Sequence, residues 1–229
     1  SVDIVDTENL IGRCVVSGNV RRSAALAMGR HDDTRYLEMK NDQEKLYHHR
    51  WGSNNSFNAE VGMDYTWHAE QSQKNGEPGY IWLNNARTRG RFKDDERFDD
   101  INVAGFNPCV EQQLEDAELC CLVETYPAKH EDLDDYLRTL KIAYLYGKTI
   151  TLSNTHWPET NAKMLKNRRI GLSQSGVVQA FAKFGRREVY DMCDRAYAYV
   201  QQLDEDYSNW LCIPKSIRMT SIKPSGTVS

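Results

Sequence analysis

The feature that most constrains this chain is the rhythm of its second half, where helix-length amphipathic segments alternate with short apolar or β-branched runs. Residues 130–146 place Leu133, Leu137, Leu140, Ala143 and Tyr144 on one stripe, which predicts an amphipathic helix closed by Gly147. Residues 148–153 are β-branched and read as a strand. A helix over 159–167, a strand over 170–173 and a helix over 176–183 ending at Gly185 follow. The longest helix spans 187–207, and a last strand spans 217–222. Parallel strands need a crossover, usually a helix, between them. The alternation therefore selects a mainly parallel α/β sheet or barrel over all-α or all-β architectures.

The first half is less regular. Residues 8–16 read as the end of a helix, 17–22 as a polar turn and 24–28 as a buried strand. A helical stretch over 33–40 has Asp32 or Asp33 as its N-cap. A weak strand over 54–60 precedes a helix over 65–74 that stops at Asn75-Gly76, then a strand over 80–83. Residues 87–107 are polar and acidic and read as a surface loop.

A chain of 229 residues suffices for one large domain with a sizeable core, and we read 1–229 as a single partial domain. Its net charge of −4 supplies no basic field for nucleic acid or a membrane surface. No apolar run approaches the ~18 residues of a membrane span, and the N-terminal residues do not resemble a signal peptide. A cytoplasmic protein is expected. Both ends read as cut: there is no initiator methionine, and the last residues form a Ser-Gly-Thr loop of the kind that feeds a helix. We expect hydrophobic surface that further segments cover.

None of the six cysteines makes a C-x-x-C pair. Cys14, Cys193 and Cys212 read as small buried apolar residues. His48-His49 would point to opposite faces of a strand, so no metal site is expected there or elsewhere.

The chemistry sits in Asn107-Pro108-Cys109-Val110-Glu111. Pro108 stiffens the backbone before the cysteine. In an extended segment, Asn107, Cys109 and Glu111 share one face. A thiol, a carboxylate and an amide together could hold and deprotonate a hydroxylated substrate. Spacing alone also admits a loop with chance polar residues.

This run resembles the Asn-x-Cys-x-Glu signature of ribonucleotide reductases. GNVRRSAALAMG at 18–29 resembles that family's specificity loop and the strand after it. LYHHRWGSNNS at 46–56, NGEPG at 75–79, NRRIGLSQSG at 167–176 and SIKPSGTVS at 221–229 are similar to the adenosylcobalamin-dependent (class II) branch, closest to its monomeric ribonucleoside triphosphate reductases. The motifs occur in family order over nearly the whole chain. The resemblance implies a ten-stranded α/β barrel with a central finger loop that carries Cys109.

The same resemblance implies roles. Cys109 becomes a thiyl radical, Glu111 accepts the ribose 3′-hydroxyl proton and Asn107 bonds the ribose hydroxyls. Cys120, eleven positions on, is one of the two cysteines that supply electrons. Cys121 beside it is a departure from the family and competes for the role. Val110 is another, standing where Gly is common, with its side chain expected to face away from substrate and to have little effect. Pro224, Ser225, Gly226, Thr227 and Val228 resemble the substrate-phosphate loop. Gly18, Asn19, Val20, Arg21 and Arg22 resemble the loop that couples a deoxynucleotide effector to substrate choice.

Implied partners are a ribonucleotide, the effector, a thioredoxin-type reductant and the remaining barrel segments, with adenosylcobalamin as cofactor. Diphosphate and triphosphate substrates both stay open. So do a reductase served by a tyrosyl-radical or metal subunit, and an inactive barrel piece or inter-intein segment that only binds nucleotide.

Overall fold

The computed structural model describes residues 1–91 and 95–223. The chain divides into two compact units, Ser1–Gln113 and Leu114–Ser229.

In the first unit a long helix, α1 (Val2–Ser17), precedes strand β1 (Ala25–Gly29). Helices α2 (Thr34–Leu37) and α3 (Gln43–His48) lead to β2 (Ser53–Asn58). Helix α4 (Thr66–Asn75) leads to β3 (Gly79–Ile81), followed by α5 (Leu83–Thr88) and the two-residue β4 (Gly105–Phe106). The strands β1, β2 and β3 form a parallel sheet in that order, with Ala25 beside Ser53 and Ser56 beside Gly79. Two of the unit's helices, α2 and α3, start at side-chain caps. Asp33 accepts the Tyr36 amide at 3.1 Å, and Asp42 accepts the Lys45 amide at 3.1 Å. Gly76, at φ +85, ends α4 as the Asn-Gly pair predicted.

Tyr36, Leu37, Met39, Phe57 and Ala59 form the core of this unit. The Tyr36 hydroxyl lies 2.6 Å from Ala27 O and 2.9 Å from Ser56 O, bridging neighbouring strands. Gly29 makes room for it: a Cβ there would sit 2.2 Å from the tyrosine ring. Two expectations change here. Leu83 starts a helix instead of ending a strand. The acidic stretch after it also does more than cover the surface, because Asp100 and Val103 are completely buried.

Strand β5 (Gln113–Leu114) lies at the boundary of the units. In the second unit β6 (Leu122–Thr125) precedes α6 (Leu133–Ile150) and α7 (Pro158–Asn167). Then come β7 (Gly171–Gln174), α8 (Val177–Phe184) and the 26-residue α9 (Arg186–Leu211). Strands β6 and β7 are parallel, with Leu122 beside Gly171. Leu133, Tyr136, Leu140 and Tyr144 of α6 pack with Val200, Leu203 and Tyr207 of α9 and with Leu172 of β7. Asp132 caps α6 by accepting the Asp135 amide at 2.8 Å, which accounts for the acidic cluster there.

The strand expected over 148–153 is absent, because α6 runs through Gly147 to Ile150. Gly147 is a packing residue. A Cβ on it would lie 3.2 Å from Ile170 and Val123, so glycine lets the helix approach the sheet closely. Tertiary contacts override the β-branched run. The side chain of Lys148, fully buried, donates to Asp204 Oδ1 at 2.6 Å, Ser216 Oγ at 3.0 Å and Pro214 O at 3.2 Å. The expected strand over 217–222 reduces to one parallel bridge, Leu172 to Thr220. Cys14 and Cys212 are exposed and Cys193 is half-buried, so the expectation of three buried cysteines does not hold.

Candidate active site

The segment that carries Cys109 is a turn, which corrects the extended conformation expected from its spacing. The Val110 amide donates to Asn107 O at 2.9 Å. Pro108 and Cys109 are therefore the central residues of a β-turn, with proline at its favoured second position. The Asn107 amide then donates to Gln112 O at 3.0 Å, and the Gln112 amide donates to Asn107 Oδ1 at 3.0 Å. The carbonyl oxygen of the Asn107 side chain thus braces the loop. Asn54 of β2 ties the turn down, with Nδ2 donating to Pro108 O at 2.6 Å.

Val110 follows the turn at φ +66. This left-handed conformation favours glycine and costs a side-chain-bearing residue about 1–2 kcal/mol, more for a β-branched one. The glycine that the resemblance makes common at this position would have its physical reason here.

Cys109 is exposed at the tip of the turn. Beside it, both carboxylate oxygens of Glu111 are buried without a hydrogen-bond partner among the described residues. Both side-chain polar atoms of Gln112, a residue 2% exposed, are in the same condition. Folded proteins seldom leave such groups unpaired, since each costs about 1–3 kcal/mol. Gln112 carried no sequence signal.

In the second unit, Cys120 is exposed while Cys121 is buried. Burial, reinforced by Cys120 and Glu118, pushes the Cys121 thiol up to about 11. Carboxylates anchor the segment before them. Glu115 accepts Lys163 Nζ at 2.6 Å, Asn167 Nδ2 at 3.1 Å and Lys166 Nζ at 3.2 Å. Burial opposes ionisation of Glu115, but these bonds outweigh it and hold its carboxyl at about 2. Glu118 accepts the Glu115 amide at 2.8 Å, and Asn167 Nδ2 and Arg169 Nε at 3.1 Å. Sequence reading missed both glutamates, whose partners lie about 50 residues away.

After α1, Asn19 adopts φ +54, as a residue tolerant of the left-handed region can. Gly18, Val20, Arg21 and Arg22 are exposed. Pro224, Ser225, Gly226, Thr227 and Val228 lie outside the described residues. His48 and His49 sit at the end of α3, not on a strand, with Nδ1 atoms 3.1 Å apart. Among the described residues, no three His, Cys, Asp or Glu side chains cluster as a metal site requires, and no helix is long and apolar enough to cross a membrane.

The architecture is similar to part of a solved enzyme structure. Over 99% of its length the chain superimposes, with a TM-score of 0.88 and 35% identity, on 35% of the crystal structure of a B-12 dependent (class II) ribonucleotide reductase. Its sequence is 51% identical, over its full length, to 31% of a probable adenosylcobalamin-dependent ribonucleoside-triphosphate reductase of Dictyostelium discoideum. It is 48% identical over 99% of its length to 31% of the Euglena gracilis adenosylcobalamin-dependent ribonucleoside-triphosphate reductase, and 39% identical over all of it to 35% of the Lactobacillus leichmannii one. No protein-family model matches. The chain spans about a third of the length of the curated relatives it matches. It is thus homologous, from end to end, to one third of a class II ribonucleotide reductase.

Proposed function

We propose that this chain contributes to the catalytic barrel of an adenosylcobalamin-dependent reductase that converts ribonucleoside triphosphates to deoxyribonucleotides in the cytoplasm. In this reading residues 1–229 are part of a ten-stranded α/β barrel, completed by segments outside this chain, and the Cys109 turn is its finger loop. The observation that carries the reading is the Glu111 carboxylate, buried and unpartnered among the described residues, two residues from an exposed thiol. A substrate hydroxyl is the partner such a carboxylate lacks.

Cys109, as a thiyl radical, takes the ribose 3′-hydrogen. Glu111 accepts the 3′-hydroxyl proton and eases departure of the 2′-hydroxyl as water. Asn107, its Oδ1 committed to the turn, presents its Nδ2 to the ribose hydroxyls. Two thiols supply the two electrons and close to a disulfide. Cys120 is one of them. The burial and raised pKa of Cys121 argue against that residue, because the thiolate is the form that exchanges. A thioredoxin-type protein reopens the disulfide. When bound, adenosylcobalamin supplies radical chemistry, and the exposed thiol of Cys109 is the described group that suits it. Gly18, Asn19, Val20, Arg21 and Arg22 respond to a deoxynucleotide effector, and Pro224, Ser225, Gly226, Thr227 and Val228 hold the substrate phosphates.

The test is Cys109→Ser in the full-length protein. Reduction should vanish while nucleotide binding and melting temperature stay as they were. Normal turnover would sink the assignment.

A further inference from the structure

The sheet of the first unit has two unlike faces. Ser53 and Phe57 of β2 turn toward the helices: Asn9 of α1 donates to Ser53 Oγ at 3.0 Å, and the Phe57 ring centre lies 4.5 Å from that of His68 in α4. Successive strand residues alternate, so Asn54 and Ser56 belong to the opposite face. Met28 of β1, beside Ser56, shares that face. The hairpin that carries Cys109 lies against it: a Cβ on Gly105 of β4 would come 3.9 Å from Met28 Sδ. Asn54 reaches from the sheet to the tip of the hairpin, where its Nδ2 donates to Pro108 O at 2.6 Å.

That oxygen belongs to the peptide that decides the form of the turn. With Asn107 first and Val110 fourth, the central peptide joins Pro108 to Cys109. The two common forms, type I and type II, differ by reversal of this peptide, which carries its oxygen from one side of the turn to the other. Type II also puts the third residue at positive φ. Positive φ is found at Val110 and not at Cys109, so the turn is of type I with a left-handed residue after it. Hairpin loops of this length are commonly built around such a turn. Reversal of the peptide would take Pro108 O away from Asn54.

The turn has a reason to move. Val110 is held in the left-handed region, and a rearrangement that returned it to an ordinary φ would relieve that strain. Pro108 fixes its own φ but leaves its ψ free, and rotation at that ψ is half of the reversal. Proline therefore does not lock the central peptide, whereas the Asn54 side chain does.

We propose that Asn54 is a positioning residue for the Cys109 sulfur. It acts through the Pro108–Cys109 peptide, whose orientation sets the direction in which the thiol leaves the backbone. Hydrogen transfer needs reacting atoms held about 3–3.5 Å apart and aligned, and a sulfur on a freely reversing peptide would spend part of its time out of reach. The inference rests on the reading of Cys109 as the residue that takes the ribose 3′-hydrogen.

The experiment uses the full-length reductase with Asn54→Ala and Asn54→Asp. The position is exposed, so both variants should fold. Aspartate keeps the shape, but an ionised carboxylate has no proton to donate. Both changes should lower kcat about tenfold, the effect of one directed hydrogen bond, with KM for the nucleoside triphosphate nearly unchanged. The loss should fall on hydrogen transfer, so the ratio of rates with ordinary and 3′-deuterated substrate should rise. In protein free of adenosylcobalamin, the Val110 amide should exchange its hydrogen faster in both variants, while amides of the β1–β2 ladder keep their original rates.

An aspartate variant with the kcat of the starting enzyme would overturn the proposal, because the donated proton would then not matter. So would a loss confined to melting temperature, with kcat and the isotope ratio unchanged, which is what a merely structural tie predicts. Turnover by the Cys109→Ser protein would remove the reading on which the proposal rests, whereas unchanged exchange at Val110 in Asn54→Ala would remove the tie alone.

Discussion

The turn around Cys109 and the interior of the helical unit both bury polar groups, and they treat them in opposite ways. Around Lys148 the ammonium and the carboxylate it meets are both paired. Its ammonium meets three acceptors, and Asp204 also takes the Tyr144 hydroxyl at 2.8 Å and the Ser216 amide at 3.0 Å. Around Glu111 the carboxylate and the neighbouring Gln112 amide have none among the described residues. A satisfied network holds helices and loops together and is complete as it stands. An unsatisfied one has capacity left for a further partner. Burial alone does not separate structural from functional polar residues; at Lys148 and Glu111 the difference lies in pairing.

That contrast can be broken most directly by removing one carboxylate from each place. Asp204→Ala strands a buried ammonium and should cost about 3–5 kcal/mol in urea unfolding, whereas Lys148→Met with Asp204→Leu should recover most of the loss. Glu111→Gln, which removes an unpaired charge, should leave stability within about 0.5 kcal/mol while lowering reduction by about 10²–10⁴. Equal destabilisation by the two single changes would erase the distinction.

A middle-sized effect is expected from Glu115, whose partners hold its folded carboxyl at about 2 against an ordinary 4.5. A folded pKa below the unfolded one gives stability that is full above pH 4.5 and is lost as pH falls toward 2. Glu115→Gln should be less stable at neutral pH and show a flatter acid dependence across that window. An unchanged acid-unfolding curve would mean that Lys163 and Lys166 hold it only loosely.

The smallest effect belongs to Val110. Relief of left-handed strain, about 1–2 kcal/mol, is partly offset by the chain entropy of glycine, about 0.5–1 kcal/mol. Val110→Gly should raise the unfolding free energy by up to about 1 kcal/mol, and a loss of stability would show the turn to be relaxed as it is.

How much of this was legible in sequence depended on the range of the forces involved. The cap at Asp33, the Gly76 and Gly185 stops and the long apolar stripe of α6 are local, and reading them needs only neighbours. Gly147 misled because glycine as a stop and glycine as a close-approach residue look alike until Ile170 and Val123 are known to lie against it. The Cys109 segment was recognised by its residue types, yet its conformation was misread: alternation assumes a strand, and Asn107 instead spends its side chain closing a turn. Glu115 and Glu118 were invisible for a simpler reason. Nearly all their side-chain partners stand about 50 positions away.

The tyrosine hydroxyls buried in the two units have a consequence for experiment. Burial pushes the Tyr36 and Tyr144 phenols well above the usual tyrosine range. A surface phenol ionises the moment the solution turns alkaline, but these two must wait for their surroundings to open. After a rapid jump to high pH, phenolate absorbance should therefore grow in steps. The delayed part reports how often each unit breathes, through Tyr36 against the sheet of the first and Tyr144, with Tyr136, in the helical core of the second. The protein thus carries two native optical clocks that need neither an attached dye nor a turnover assay.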